Sequence, residues 1–292
     1  MLDVKKIPRH SGRRDWNYCA EVGGTIIYIH TRSKRMVGAE ADSLPSRKVD
    51  KELQMPIEMM IRKLRQHSEL PDEDTKALRS IIASVKSLPE DSPIIREGQL
   101  STQCCVILSG FAYRSKVSED GKRQILSFHI AGDMPDLHGL PLKRMDHDLT
   151  TLSKAQLGFI DHDALERTLS TRPALARALW RESLVDAALF RQWIVNLGTR
   201  SASGRMAYLI AELRQRLGAM DMVANEQFDF PITQSKLADA LGLSVVHVNR
   251  VLQAFRTQGI LDLKRRVVTL GDFEKIVQLG GFDSLNDKTS AQ

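Results

Sequence analysis

Hydrophobic and polar positions change period several times along this chain, and each change marks a new element. From Met55 the run MPIEMMIRKLRQHSELPDEDTKALRSIIASV puts Ile57, Ile61 and Leu64 on one face and Leu78, Ile81, Ile82 and Val85 on another. This predicts two amphipathic helices separated by Leu70-Pro71. From residue 88 to about 168 the pattern shortens to alternating stretches at 94–95, 104–108, 111–117, 124–130, 149–152 and 155–160. Glu97-Gly98-Gln99, Ser109-Gly110, Glu119-Asp120-Gly121-Lys122 and Ala131-Gly132-Asp133 supply turns between them. Short strands so spaced predict a compact β-barrel or roll, and Asp161 or Asp163 then caps a short helix. Residues 172–197 read as one long helix whose Leu175, Leu179, Leu184, Leu189, Phe190, Trp193 and Leu197 cover more than one face. One face suits the roll and another a partner helix in a two-fold dimer; the rival is a helix wholly buried in its own chain, and we favour the dimer. A further helix over 202–217 opens a C-terminal domain.

The segment 232–259, ITQSKLADALGLSVVHVNRVLQAFRTQG, reads as two short helices joined at Gly242. Leu237, Ala238 and Leu241 make the first helix apolar on one side. Val248, Val251, Leu252 and Phe255 form a buried stripe on the second, and Val246, Arg250, Gln253 and Thr257 fall opposite it with Asn249 on the flank. Thr233 and Ser244 stand where N-caps belong. A helix that buries one face and displays Asn, Arg and Gln on the other is suited to base edges in a major groove, so the pair reads as a helix-turn-helix. The alternation from Gly259 to Leu270 predicts a two-stranded wing with Lys264, Arg265 and Arg266 near its tip. Between Pro231 and Arg266 there are six Lys or Arg against two Asp or Glu, and a cationic tip suits a phosphate backbone. For the tip alone, an ordinary solvated loop is nearly as good a reading; beside the two helices, the phosphate reading is preferred.

Composition narrows the picture without deciding it. The 292 residues are enough for two or three domains, the hydrophobic fraction is 42%, and the net charge is +6. No apolar run reaches the length of a membrane span, and the basic N-terminus lacks the apolar core of a secretory signal. Cys19, Cys104 and Cys105 have no metal spacing, which fits a reduced cytoplasmic protein. The first 54 residues contain RSKR, a Gly23-Gly24 pair and one short apolar run, Thr25–Ile29. We expect the native chain to begin at Met55, with a genuine N-terminal arm as the rival. No GxGxxG, GxxxxGK, GxSxG or HExxH occurs, so nothing points to an enzyme. A scaffold whose winged helix meets protein instead of DNA stays open; steep salt dependence of duplex binding separates the two.

With the order roll, long helix and winged helix-turn-helix in view, residues 57–283 resemble the Crp/Fnr superfamily of bacterial transcription regulators, and in several stretches its alphaproteobacterial, FixK-like type. The motifs SEDGKRQILSFHIAGD, DLHGLPLKRMDH, ALWRESLVDAALFRQWIVNLG and LADALGLSVVHVNRVL carry the resemblance. It implies an α+β fold: a cyclic-nucleotide-binding-like β-roll at 55–170 with its leading helices, a dimerisation helix at 171–200, a winged helix-turn-helix at 201–283, an N-terminal extension at 1–54 and a tail at 284–292. It also implies a homodimer that binds and bends a pseudo-palindromic DNA operator and contacts RNA polymerase. Arg250 matches the family's base-reading arginine and is our candidate for a guanine contact. Val246 suits a thymine methyl, while Val245 sits beside it in the first turn; Asn249 suits adenine or phosphate, and His247 and Gln253 suit the backbone.

Departures from the family pattern decide the subclass. Members that bind a cyclic nucleotide carry Gly-Glu and Arg-Ser pairs, the arginine neutralising the phosphate and the glutamate taking the ribose hydroxyl. Here the stretch is Asp136-Leu137-His138-Gly139-Leu140, then Met145-Asp146-His147-Asp148, and carboxylates repel phosphate. Only a different loop fold lets Lys143 or Arg144 substitute, so a cAMP response is not expected. Iron–sulfur members need four cysteines, three clustered near the N-terminus, which this chain lacks. Haem stays open, since one histidine can be an axial ligand and His129, His138 and His147 sit in or beside the roll. Asp133, Asp136, His138, Asp146, His147 and Asp148 could collect a metal, but no fixed ligand spacing supports it. No cofactor or metal is therefore assigned; the alternative is a ligand- or metal-sensing regulator that needs an unidentified effector in the roll. Asp161-His162-Asp163 reads as a helix cap with an exposed histidine, and strand cysteines 104 and 105 as inert.

Overall fold

The computed structural model describes residues 51–283 and, ahead of them, the strands β1 (Val4–Lys6), β2 (Tyr18–Val22) and β3 (Thr25–Ile29). These three form an antiparallel sheet in the order β1-β2-β3, with the apolar run Thr25–Ile29 as its last strand. The other residues up to 50 and the tail at 284–292 lie outside the described residues, whereas 51–54 of the expected extension belong to the first helix.

Helix α1 (Lys51–Arg65) buries Ile57, Met60, Ile61 and Leu64, the i, i+3, i+4, i+7 stripe of an amphipathic helix. Each such side chain contributes roughly 1.5–3 kcal/mol on burial. The helix begins at Lys51, ahead of the change in composition at Met55. Pro71 precedes α2 (Asp72–Ser80), whose first turn carries Asp72, Glu73 and Asp74 against the positive end of the helix. The expected continuation of this helix through Val85 does not occur. Residues Ile82–Leu88 form strand β4, paired antiparallel with a later strand. Ile81, Ile82 and Val85 satisfy a helical period over so short a run, but their branched side chains also favour a strand, and sheet pairing decides.

The roll follows as predicted: β5 (Pro93–Ile95), β6 (Gln103–Ser109), β7 (Ala112–Val117), β8 (Arg123–His129), the short helix α3 (Gly139–Leu142), β9 (Asp148–Thr151) and β10 (Ala155–Asp161). One sheet has the order β4-β10-β6 and the other β5-β9-β7-β8. Strand β6 shows the two-residue period plainly. Cys104, Val106 and Leu108 pack with the α1 stripe, whereas Cys105 and Ile107 pack with Ala112, Leu149 and Leu157. The adjacent cysteines therefore face opposite sides and are fully buried, and burial pushes both thiols up. Asp161 holds the N-cap position of α4 (His162–Thr171), but its carboxylate accepts from Gln103 Nε2 at 2.8 Å instead of capping. His162, expected to be exposed, is buried: its backbone N donates to Thr102 O at 2.9 Å, which ties the first turn of α4 to the segment just ahead of β6.

Helix α5 (Pro173–Thr199) starts with proline in its first turn and runs beside the roll. Leu175, Leu179 and Trp193 are buried, but Trp180, Leu184 and Ile194 are 66%, 53% and 71% exposed. After it come α6 (Ala202–Ala219), β11 (Gln227–Asp229), α7 (Gln234–Leu241), α8 (Val245–Thr257), β12 (Leu261–Lys264), β13 (Val267–Leu270) and α9 (Phe273–Gly280). Strands β11, β13 and β12 make a small antiparallel sheet in that order. Among the described residues no helix is long and apolar enough to cross a membrane. The architecture is thus a β-roll, a long helix and a C-terminal winged helix-turn-helix.

Candidate functional site

The helix pair is built from local signals. Thr233 Oγ1 accepts from Lys236 N at 3.3 Å to cap α7, and Gly242, at φ +62°, ends it in the left-handed conformation. Ser244 Oγ accepts from His247 N at 3.2 Å to cap α8. Val248, Val251 and Phe255 are buried against the domain core. On the other side Val246 is 67% exposed, and Val245, His247, Asn249, Arg250 and Gln253 are also exposed. Among the described residues the side chains of Asn249, Arg250 and Gln253 make no hydrogen bond or ion pair.

The wing forms between β12 and β13, and Arg265 and Arg266 occupy its turn at φ +48° and +64°. Two successive left-handed residues define a type I′ hairpin turn, usually filled by Asn-Gly. Its three cations do not act as one patch. Arg266 forks onto Glu90 of the roll at 2.7 and 3.0 Å, and Lys264 turns onto Asp262 at 2.5 Å. Arg265 alone has no ion pair among the described residues. Residues absent from the sequence expectation complete this docking. Lys236 is buried and meets Asp91 at 2.6 Å, Arg123 of β8 pairs with Asp239 of α7 at 2.7 Å, and Gln124 donates to Ala240 O at 3.2 Å. Their only trace in the sequence is opposite charge on distant segments, which names no partner.

A cavity of about 490 Å³ lies between the roll, α1, α5 and α6. Arg114 of β7 is buried in its wall, donates to Pro135 O, and meets Asp186 of α5 at 2.6 Å. Burial acts to raise the Asp186 carboxyl, yet Arg114 and His129 together outweigh it and hold the group below its ordinary value. Asp136 is buried and accepts from Cys105 N at 2.8 Å; burial dominates and pushes its carboxyl up to about 7. His129 has both ring nitrogens engaged, with Ser127 Oγ at 2.8 Å and Asp133 Oδ2 at 3.4 Å. Burial and then Arg114 push its imidazole down to about 4. Lys143 and Arg144 do not line the cavity: Lys143 pairs with Glu166 at 2.9 Å and Arg144 donates to Gly98 O.

Of the six residues considered as metal ligands, the fold brings together His138, Asp146 and His147. Asp146 Oδ1 lies 2.8 Å from His147 Nδ1 and 3.4 Å from His138 Nε2, and the two rings face each other at 5.0 Å. The other three are committed elsewhere: Asp133 to Lys63 and Arg216, Asp136 to Cys105 N, and Asp148 to Glu97 N.

Comparison with known proteins places this architecture. Residues 85–172 match the cyclic nucleotide-binding domain and residues 204–279 the Crp-like helix-turn-helix domain. The chain is 26% identical to an anaerobic regulatory protein of Aggregatibacter actinomycetemcomitans over 73% of its own length and 82% of the relative's. It is 24% identical to the transcriptional activator protein FnrL of Cereibacter sphaeroides, over 73% of this chain and 87% of that one. Among solved structures, FixK2 of Bradyrhizobium japonicum is similar at a TM-score of 0.63 and 22% identity, covering 69% of this chain and 98% of that one.

Proposed function

Because the chain joins a cyclic nucleotide-binding domain to a Crp-like helix-turn-helix domain and so belongs to the Crp/Fnr family of DNA-binding transcription regulators, we propose that it acts as a homodimer on a pseudo-palindromic operator. The observation that carries this is the outward face of α8, where Arg250, Asn249 and Gln253 stand exposed, and without a partner among the described residues, opposite a buried stripe. Arg250 reads guanine through O6 and N7, Val246 touches a thymine methyl, and Arg265 meets the phosphate backbone from the wing.

Dimerisation rests on α5. Trp180, Leu184, Ala187, Arg191 and Ile194 follow the alternating four-and-three spacing of a coiled-coil seam, and its large apolar members are the exposed ones. Pairing two such helices buries them and sets two α8 helices for successive major grooves.

The roll does not answer to cAMP. Its buried cation, Arg114, is already neutralised by Asp186, and Asp146 puts negative charge beside the cavity. An iron–sulfur cluster is not expected either, since Cys104 and Cys105 are buried on opposite faces of one strand. A reading in which DNA binding requires a different effector is favoured by the cavity itself, which has an apolar wall at Phe190 and Trp193 and polar groups at Arg114 and Asp186. Contact with RNA polymerase follows from the family role.

Selection of binding sites from a random duplex library at near-physiological salt tests the reading. Two-fold symmetric half-sites about one helical turn apart are expected. No enrichment, either alone or with cyclic nucleotides, haem or divalent metals added, would refute it.

A further inference from the structure

His138, Asp146 and His147 meet at the edge of the cavity, on the loop between α3 and β9 and just ahead of α3. One donor atom from each lies within 4.8 Å of the other two, and Asp146 Oδ1 is 2.8 and 3.4 Å from nitrogens of the two rings. Ligands at right angles about a transition-metal ion, with bonds near 2.1 Å, stand about 3 Å apart. The 3.4 Å between Asp146 Oδ1 and His138 Nε2 is close to that separation, while the 2.8 Å contact of Asp146 Oδ1 with His147 Nδ1 is a hydrogen bond that orients the ring and leaves its Nε2 for an ion.

A second observation points independently to a ligand. Among the described residues the buried Nε2 of His147 has no hydrogen-bond partner, and His147 as a whole is 5% exposed; His138 Nε2, with only Asp146 Oδ1 nearby at 3.4 Å, makes no hydrogen bond either. Native proteins rarely leave such atoms unpaired. Charge agrees with a cation here. Arg114 is balanced by Asp186, and Lys116, which reaches Asp146 O at 2.7 Å, by Glu97, so the Asp146 carboxylate is not claimed by a cation of its own among the described residues.

We propose that His138, Asp146 and His147 bind a divalent transition-metal ion, with its remaining coordination positions open toward the cavity. Two imidazoles and one carboxylate suit Zn²⁺, Fe²⁺, Co²⁺ or Ni²⁺, whereas Mg²⁺ and Ca²⁺ take oxygen ligands. The site does not depend on the DNA-binding reading.

Chelator-treated full-length protein is titrated with Zn²⁺ by calorimetry and with Co²⁺ by visible absorption. One equivalent per chain is expected, weakened at least tenfold in each of Asp146→Asn and His138→Gln. Both side chains are partly exposed, Asp146 at 67%, so these changes spare the core. Matching thermal midpoints of the metal-free proteins confirm that folding is intact. No saturable uptake, a loss under tenfold in either variant, or a thiolate-to-cobalt charge-transfer band would overturn the proposal.

Discussion

Replacing Asp133 by asparagine should destabilise the protein by about 2–4 kcal/mol at pH 7. The carboxylate is 4% exposed and joins three parts of the fold: Lys63 of α1 at 2.9 Å, Arg216 of α6 at 2.6 Å, and His129 at the end of β8 at 3.4 Å. It also accepts from Ile130 N at 3.0 Å. Removing one member of a buried ion pair typically costs about 3–5 kcal/mol, because the partner charge is left uncompensated. Here the loss is moderated. Lys63 keeps Glu182, and Arg216 keeps Glu212 at 3.0 Å and Phe128 O at 2.9 Å. Asparagine also retains an oxygen for Ile130 N.

The pH dependence has a definite sign. Burial acts to raise the Asp133 carboxyl, but Lys63, Arg216 and the hydrogen bond to His129 outweigh it and hold the group well below its ordinary value. A depressed carboxyl stabilises the fold above the unfolded value of about 3.9, and that contribution is lost as pH falls through the folded value. Denaturant unfolding of parent and variant should therefore differ by a constant amount from pH 5 to 7 and converge below about pH 4. A difference under about 1 kcal/mol at pH 7, or one that persists undiminished in acid, refutes the reasoning.

Three other expectations concern function. Arg250→Ala should cost about 1–3 kcal/mol in operator affinity and relax discrimination at one base position; uniform loss across a panel of operator variants would make Arg250 a phosphate contact instead. Glu90→Gln releases Arg266 from its fork, so log affinity against log salt should steepen by about 0.9 for each phosphate gained, while stability changes by less than about 1 kcal/mol because the pair is surface-exposed. An unchanged salt slope would show that Arg266 never reaches DNA. Ile194→Glu places a charge on the exposed seam of α5 and should shift light-scattering mass from dimer toward monomer, with an unaltered mass counting against that seam as the interface.

Local chemistry was legible in the chain and long-range chemistry was not. The caps at Thr233 and Ser244 and the Val248–Val251–Phe255 stripe follow from spacing within one or two turns, and they appear as expected. Strand β4 departs because Ile81, Ile82 and Val85 fit either period until β10 lies beside them. The cavity gathers Arg114 from β7, Asp186 from α5 and Arg216 from α6, and no pattern along any one of them announces the others. The same holds for the metal ligands, whose spacing is irregular because a short helix and its loop, not a helical repeat, bring them together.

Charge is where sequence reasoning is least specific, and the reason is physical. A lysine or arginine on a DNA-binding fold can meet a phosphate or a carboxylate, and both present the same geometry to it. In this chain Lys236 and Arg266 face Asp91 and Glu90 of the roll, and Asp239 takes Arg123. Lys236 and Arg266 must leave these carboxylates before either can serve on DNA, so a cation in the sequence of such a fold does not by itself mark a phosphate contact.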